Sequence, residues 1–100
     1  MFDVIDTASE RIYILKLADT GSNLRFFEES VNEFIKSDQR DMIVDMEGQE
    51  IVSSLLLAAL IRIRNGMFNN QRALILKNCT QNMYRCIEMA GLESFFSFSS

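Results

Sequence analysis

One hundred residues, 48% apolar and 24% charged, suit one small domain with a single core and leave no room for two. A net charge of -4 argues against non-specific nucleic-acid binding, which needs a basic face to neutralise phosphates. With no Pro, four Gly and no low-complexity tract, the chain is expected to be ordered throughout as a single domain over residues 1–100.

The N-terminus, MFDVID, carries acids where a secretory signal carries basic residues ahead of an apolar run. It alternates well enough to predict a first short strand. TASE at 7–10 is a turn, and Arg11-Ile12-Tyr13-Ile14-Leu15-Lys16-Leu17 predicts a second strand, antiparallel to the first. Residues 18–21, ADTG, read as a loop. From Ser22 the period becomes that of a helix. Leu24, Phe27, Val31, Phe34 and Ile35 fall on one face, and Glu28, Glu29, Asn32, Glu33 and Lys36 on the other. Ser22 or Asn23 suits the N-cap, and acids in the first half complement the helix dipole. Phe26 lies off the stripe and reads as peripheral packing or as part of a contact surface.

Residues 42–46, MIVDM, are nearly continuously apolar and predict a central parallel strand buried on both faces. A polar turn around Gly48 follows, then a second helix from about Ser53 to Gly66 or Met67. At about 100° per residue, Leu56, Ala59, Leu60, Ile63 and Met67 form its inward stripe. Leu57, Ala58 and Ile61 fall outside that stripe, near Ser54. Such a cluster beside a helix start suggests a docking patch, with packing against neighbouring loops as the plainer alternative. The stretch 51–63 is too short to span a bilayer and is interrupted by Ser53, Ser54 and Arg62. No membrane insertion is expected, and a cytoplasmic location follows by default.

Residues 73–76, ALIL, predict another strand. Residues 81–90 predict a third helix, with Thr80 as N-cap and Met83, Ile87 and Ala90 facing inward. Gly91 stands where a left-handed C-cap is wanted, and Leu92 can fold back on the last turn. Phe95, Phe96 and Phe98 predict a last short strand. The order β-β-α-β-α-β-α-β defines an α/β fold, a mixed sheet covered by helices with right-handed crossovers.

Candidate chemistry is sparse. The chain has no His, which removes Ser-His and Cys-His pairs. Gly48 alone makes no phosphate-binding loop, and no acidic cluster has metal-ligand spacing. Asp45 and Glu47 read as solvated acids. Cys79 and Cys86 match no zinc or redox spacing and are expected as buried reduced thiols. No metal, no cofactor and no enzymatic activity are expected.

Several stretches together resemble one family. Ile43-Val44-Asp45-Met46 precedes an acidic glycine turn, and Val52-Ser53-Ser54-Leu55-Leu56 opens a helix. The strand ALILKN follows, and the chain closes on Ala90-Gly91-Leu92-Glu93-Ser94-Phe95-Phe96. Over essentially the whole chain this resembles the STAS domain of bacterial anti-sigma-factor antagonists. In that family the third strand ends in an Asp-Leu-Ser-like run, and the next helix opens with Asp-Ser-Ser-Gly-Leu or Asp-Ser-Ala-Gly-Leu. A Thr-Gly-Leu-like turn then precedes a short Phe-containing strand. Val52 stands here where the family has Asp and Leu55 where it has Gly, and the family's final helix is not expected within residues 1–100.

The resemblance implies a STAS-like fold and a regulatory role in bacterial signal transduction and transcription control. It implies a protein partner, an anti-sigma factor or a serine-kinase-like regulator. The phosphorylated position falls on Ser53, with Ser54 the second candidate. The partner surface falls on Gly48, Val52, Ser53, Ser54, Leu57, Ala58 and Ile61. The alternative is a constitutive STAS-like scaffold subunit of a signalling or membrane-transport assembly without a phospho-switch, which Val52 and Leu55 favour. The edge of the last strand, with three Phe and no final helix over it, offers a surface for a homodimer.

Ser53 also has a plain role as N-cap. A phosphate there places roughly -1.5 to -2 charges at a helix N-terminus, where the dipole and free amides tolerate it. An apolar partner surface over the same spot is repelled.

Overall fold

A computed structural model of the chain describes residues 2–17, 22–49 and 53–99. The elements follow the expected order: β1 (Phe2–Asp6), β2 (Glu10–Leu15), α1 (Ser22–Ser37), β3 (Asp41–Asp45), α2 (Ser54–Asn69), β4 (Leu74–Lys77), α3 (Gln81–Met89) and β5 (Ser97–Ser99). The loop expected at 18–21 lies outside the described residues, apart from its junction at Leu17. The five strands form one sheet in the order β1-β2-β3-β4-β5, with β1 antiparallel to β2 and the other pairs parallel. Each crossover steps one strand in the same direction, so right-handed connections set all three helices on one face.

That face carries the core. Strand pairing aligns Tyr13 with Val44 and Leu76, and Met42 with Leu74. Over them pack Leu24, Phe27, Val31 and Phe34 from α1, and Leu56, Ala59, Leu60, Ile63 and Met67 from α2. Met83 and Ile87 from α3 complete the layer. Both long helices bury the stripes their 3.6-residue period predicts. Phe2, Tyr13 and Phe27 meet edge to face or tilted with centroids 5.3 to 5.8 Å apart, and the Tyr13 hydroxyl pairs with Ser30 Oγ at 2.9 Å.

Several local expectations change. β3 is buried on one face only: Met42 and Val44 are enclosed, whereas Ile43 and Asp45 face the bare side and are half-buried. An apolar run says that a strand is central but not that helices lie on both sides. α2 continues past Gly66 to Asn69. A Cβ at Gly66 would lie 3.1 Å from Ile35 Cδ1, so this glycine lets α1 and α2 approach and does not end the helix. α1 begins at Ser22, which places Ser22 and Asn23 inside the helix and its capping position outside the described residues.

α3 ends as expected. Thr80 Oγ1 accepts from Met83 N at 3.2 Å, and Gly91 takes φ 74°. Gly91 N donates to Glu88 O at 2.9 Å and Leu92 N to Ile87 O at 3.0 Å, the paired bonds of a Schellman turn. Ala90 is exposed, because it caps the helix and does not extend the inner face. Phe95 and Phe96 belong to the turn before β5, and the strand itself is only Ser97–Ser99. Phe96 is buried in the core, and Phe95 holds the Arg64 guanidinium 4.1 Å from its ring centroid, with Phe68 at 4.5 Å.

Candidate functional site

The chain leaves β3 through a pinned turn. Asp45 Oδ1 accepts from Glu47 N at 3.0 Å and from Asn78 Nδ2 at 3.2 Å, and Gln49 N donates to Met46 O at 3.0 Å. A Cβ at Gly48 would lie 3.2 Å from Lys16 Cγ and 3.5 Å from Leu15 O. The turn therefore lies tight against the end of β2. Gln49 is the one buried polar side chain among the described residues. Its Oε1 accepts from Leu17 N at 2.8 Å and its Nε2 donates to Leu17 O at 3.2 Å. Val52 lies outside the described residues.

Ser53 has extended backbone, and its Oγ accepts from Leu56 N at 3.1 Å, so it is the N-cap of α2. Ser54 opens the helix and is exposed. Both serines edge a cleft of about 400 Å³ between α2 and α3, completed by Leu57, Cys86, Met89 and Ala90. Beside it Leu55 is 58% exposed and Met89 84%. Both apolar side chains are open to solvent.

Of the expected positions, Ser53, Ser54 and Leu57 come together at this cleft. Gly48 stands apart, in the turn against Lys16. Ala58 and Ile61 are half-buried and do not line the cleft, and Ile61 packs against the core. The α3 side, with Cys86, Met89 and Ala90, was not anticipated. Its signal was the spacing i, i+3, i+4, an apolar stripe offset from the inward Met83 and Ile87. Cys86 is accordingly exposed, contrary to expectation, because the neighbouring positions take the core. Cys79 is half-buried, and burial pushes its thiol up to about 11.

A separate network lies at the other end of the sheet. Arg11, Arg40 and Arg72 gather around the Phe34 ring at 4.9, 5.7 and 5.0 Å from its centroid. Arg11 and Arg40 both reach Asp6, Arg40 also pairs with Asp38 at 2.7 Å, and Arg72 donates to Arg40 O and Ile35 O. The hydrogen bond from Arg40 holds the Asp38 carboxyl well below the usual carboxylate range, and that from Arg11 lowers Asp6. These contacts join strand starts to the ends of α1 and α2, while Arg72 Nη2 is buried without a hydrogen-bond partner among the described residues.

Among the described residues no three His, Cys, Asp or Glu side chains cluster as a metal site, and no helix is long and apolar enough to cross a membrane. What the α2–α3 surface presents is two hydroxyls at a helix N-terminus beside an apolar wall. Fold and surface together define an α/β domain with its helices on one sheet face and paired serines at the start of α2. The model of the STAS domain matches residues 7–100, and the chain belongs to the STAS domain family.

Solved structures carry the same fold at low identity. A Thermotoga maritima protein put forward as an anti-sigma factor antagonist superposes with a TM-score of 0.88 at 15% identity, covering 99% of this chain and 86% of that one. An anti-sigma-factor antagonist (STAS) domain protein from Planctomyces limnophilus gives 0.84 at 12%, covering 99% and 89%. A chain from the stressosome, a signal integration and transduction hub, gives 0.74 at 16%, covering 97% and 86%. No curated protein sequence is a significant match.

Proposed function

We propose that this chain is a cytoplasmic, non-catalytic regulator of the anti-sigma-factor-antagonist type. It binds an anti-sigma factor or a serine-kinase-like partner over the start of α2, with phosphorylation of Ser53, or secondarily Ser54, as the switch. The observation that carries this reading is the position of Ser53: its Oγ lies at the N-terminus of α2, on the rim of an apolar cleft. A phosphate there is compatible with the helix dipole and the first-turn amides, so the fold survives. A partner packed on Leu57 and Met89 meets the same charge as repulsion and as a desolvation cost.

The test is affinity purification from the native cell with wild type and Ser53→Asp, with phosphosite mapping on the same sample. Ser53→Asp retains an N-cap acceptor and is expected to melt within a few degrees of wild type while losing partner recovery about tenfold or more. Equal recovery by both forms sinks the switch. That result favours a second reading, a constitutive subunit of a signalling assembly. Leu55 supports it, because this exposed side chain enlarges the apolar surface beside the serines.

A further inference from the structure

The sheet face opposite the helices carries a second surface that the serine reading does not use. Strand pairing sets Ile5, Ile12, Ile43 and Ile75 in one row across β1 to β4, ending on Ser97 of β5. The next row is Asp3, Ile14, Asp45, Lys77 and Ser99, and on the other side Glu10 pairs with Asp41. The core cluster contains none of these isoleucines: Ile5 is 48% exposed and the other four are half-buried. Parallel strands are ordinarily covered on both faces, so a bare face with an isoleucine row calls for an occupant.

We infer that this face docks a basic amphipathic helix of a partner protein. Area and charge select that occupant. Five strands about 4.8 Å apart and three rows of side chains span roughly 300 Å². Each member of a stable folded dimer buries about 800 Å², whereas one helix about 10 Å across fits this strip. Asp3, Glu10, Asp41 and Asp45 border the isoleucines, and Lys77 is the one basic residue in the paired rows. Lys16 stands just past the end of β2, 3.9 Å from Asp3. The complementary surface is an apolar stripe flanked by Lys or Arg. The same acids repel an anionic lipid surface.

The proposal is independent of Ser53, and its test leaves that residue untouched. The ¹⁵N-labelled full chain is titrated with a synthetic Leu/Lys helix of roughly 18 residues, with Leu confined to one face. Amide shifts are expected at Ile5, Ile12, Ile43 and Ile75 and not at Ser53 or Leu57. Ile5→Gln with Ile75→Gln keeps the charge and is expected to weaken Kd about tenfold or more. Asp3→Asn with Glu10→Gln touches no core side chain and is expected to weaken Kd about threefold and flatten its salt dependence. If the Gln pair melts at room temperature, this charge pair carries the test.

Shifts confined to the α2–α3 cleft, or equal affinity for a Leu/Glu helix, overturn the proposal. So does sedimentation showing a wild-type dimer that the Gln pair dissolves, which assigns the face to a second copy. Wild-type binding to phosphatidylcholine vesicles, lost in the Gln pair, assigns it to lipid and overturns it equally.

Discussion

Gln49 offers the sharpest test of how the turn ahead of α2 is held. It is 1% exposed, and its amide grips the backbone of Leu17, accepting from Leu17 N and donating to Leu17 O. Gln49→Met keeps the length and most of the volume while removing both hydrogen bonds. An unpaired buried backbone group costs about 1–3 kcal/mol. With two such groups at Leu17 and some relaxation around them, the expected loss is about 2–4 kcal/mol. In a domain of 100 residues, each kcal/mol shifts Tm by about 4–8 °C, so a fall of roughly 8–32 °C is expected. Urea unfolding should show a lower midpoint at an unchanged m-value. Amide exchange at Leu17 should quicken in the folded state. A loss below about 1 kcal/mol would refute the reasoning, since it would mean that the Leu17 groups find other partners at little cost.

Three further outcomes are expected. Ser53→Ala removes the acceptor for Leu56 N and should cost about 1 kcal/mol in urea unfolding, with Ser53→Asp restoring it; no difference between the two variants would argue against the cap. Asp38 and Asp6 have folded-state values below their unfolded ones, so their stabilisation is full above the unfolded value near 4 and lost as pH falls below it. The urea midpoint should therefore drop in acid, and Asp38→Asn should flatten that dependence; an unaltered slope would count against the Arg40 pair. Because burial pushes the Cys79 thiol up to about 11 while Cys86 lies exposed, a thiol reagent at about pH 8 should label Cys86 first. Labelling of both at one rate would place Cys79 in open solvent.

Much of the molecule was legible because its causes are local. The stripe Leu56, Ala59, Leu60, Ile63 and Met67 is a matter of helical period, and it is buried as read. The stop of α3 is a matter of backbone chemistry: Gly91 accepts a positive φ that other residues resist, and Leu92 sits where its amide can reach Ile87. Ser53 as cap follows in the same way from a hydroxyl ahead of an apolar run. The family likeness, carried by motifs at fixed places in the chain, identified the fold that the structure shows.

What the chain's order of residues could not decide was which groups meet across distance. Cys86, Met89 and Ala90 join Ser53 and Ser54 only because α3 lies beside α2, a neighbourhood set by crossover direction and not by any local pattern. Gln49, a polar residue in a turn, reads as solvated until the exit of β2 passes over it and uses its amide as a clamp. Ile43 is equally apolar under a helix or open to water. Hydrophobic pattern establishes that a strand is central, but strand order and handedness decide which of its faces is covered.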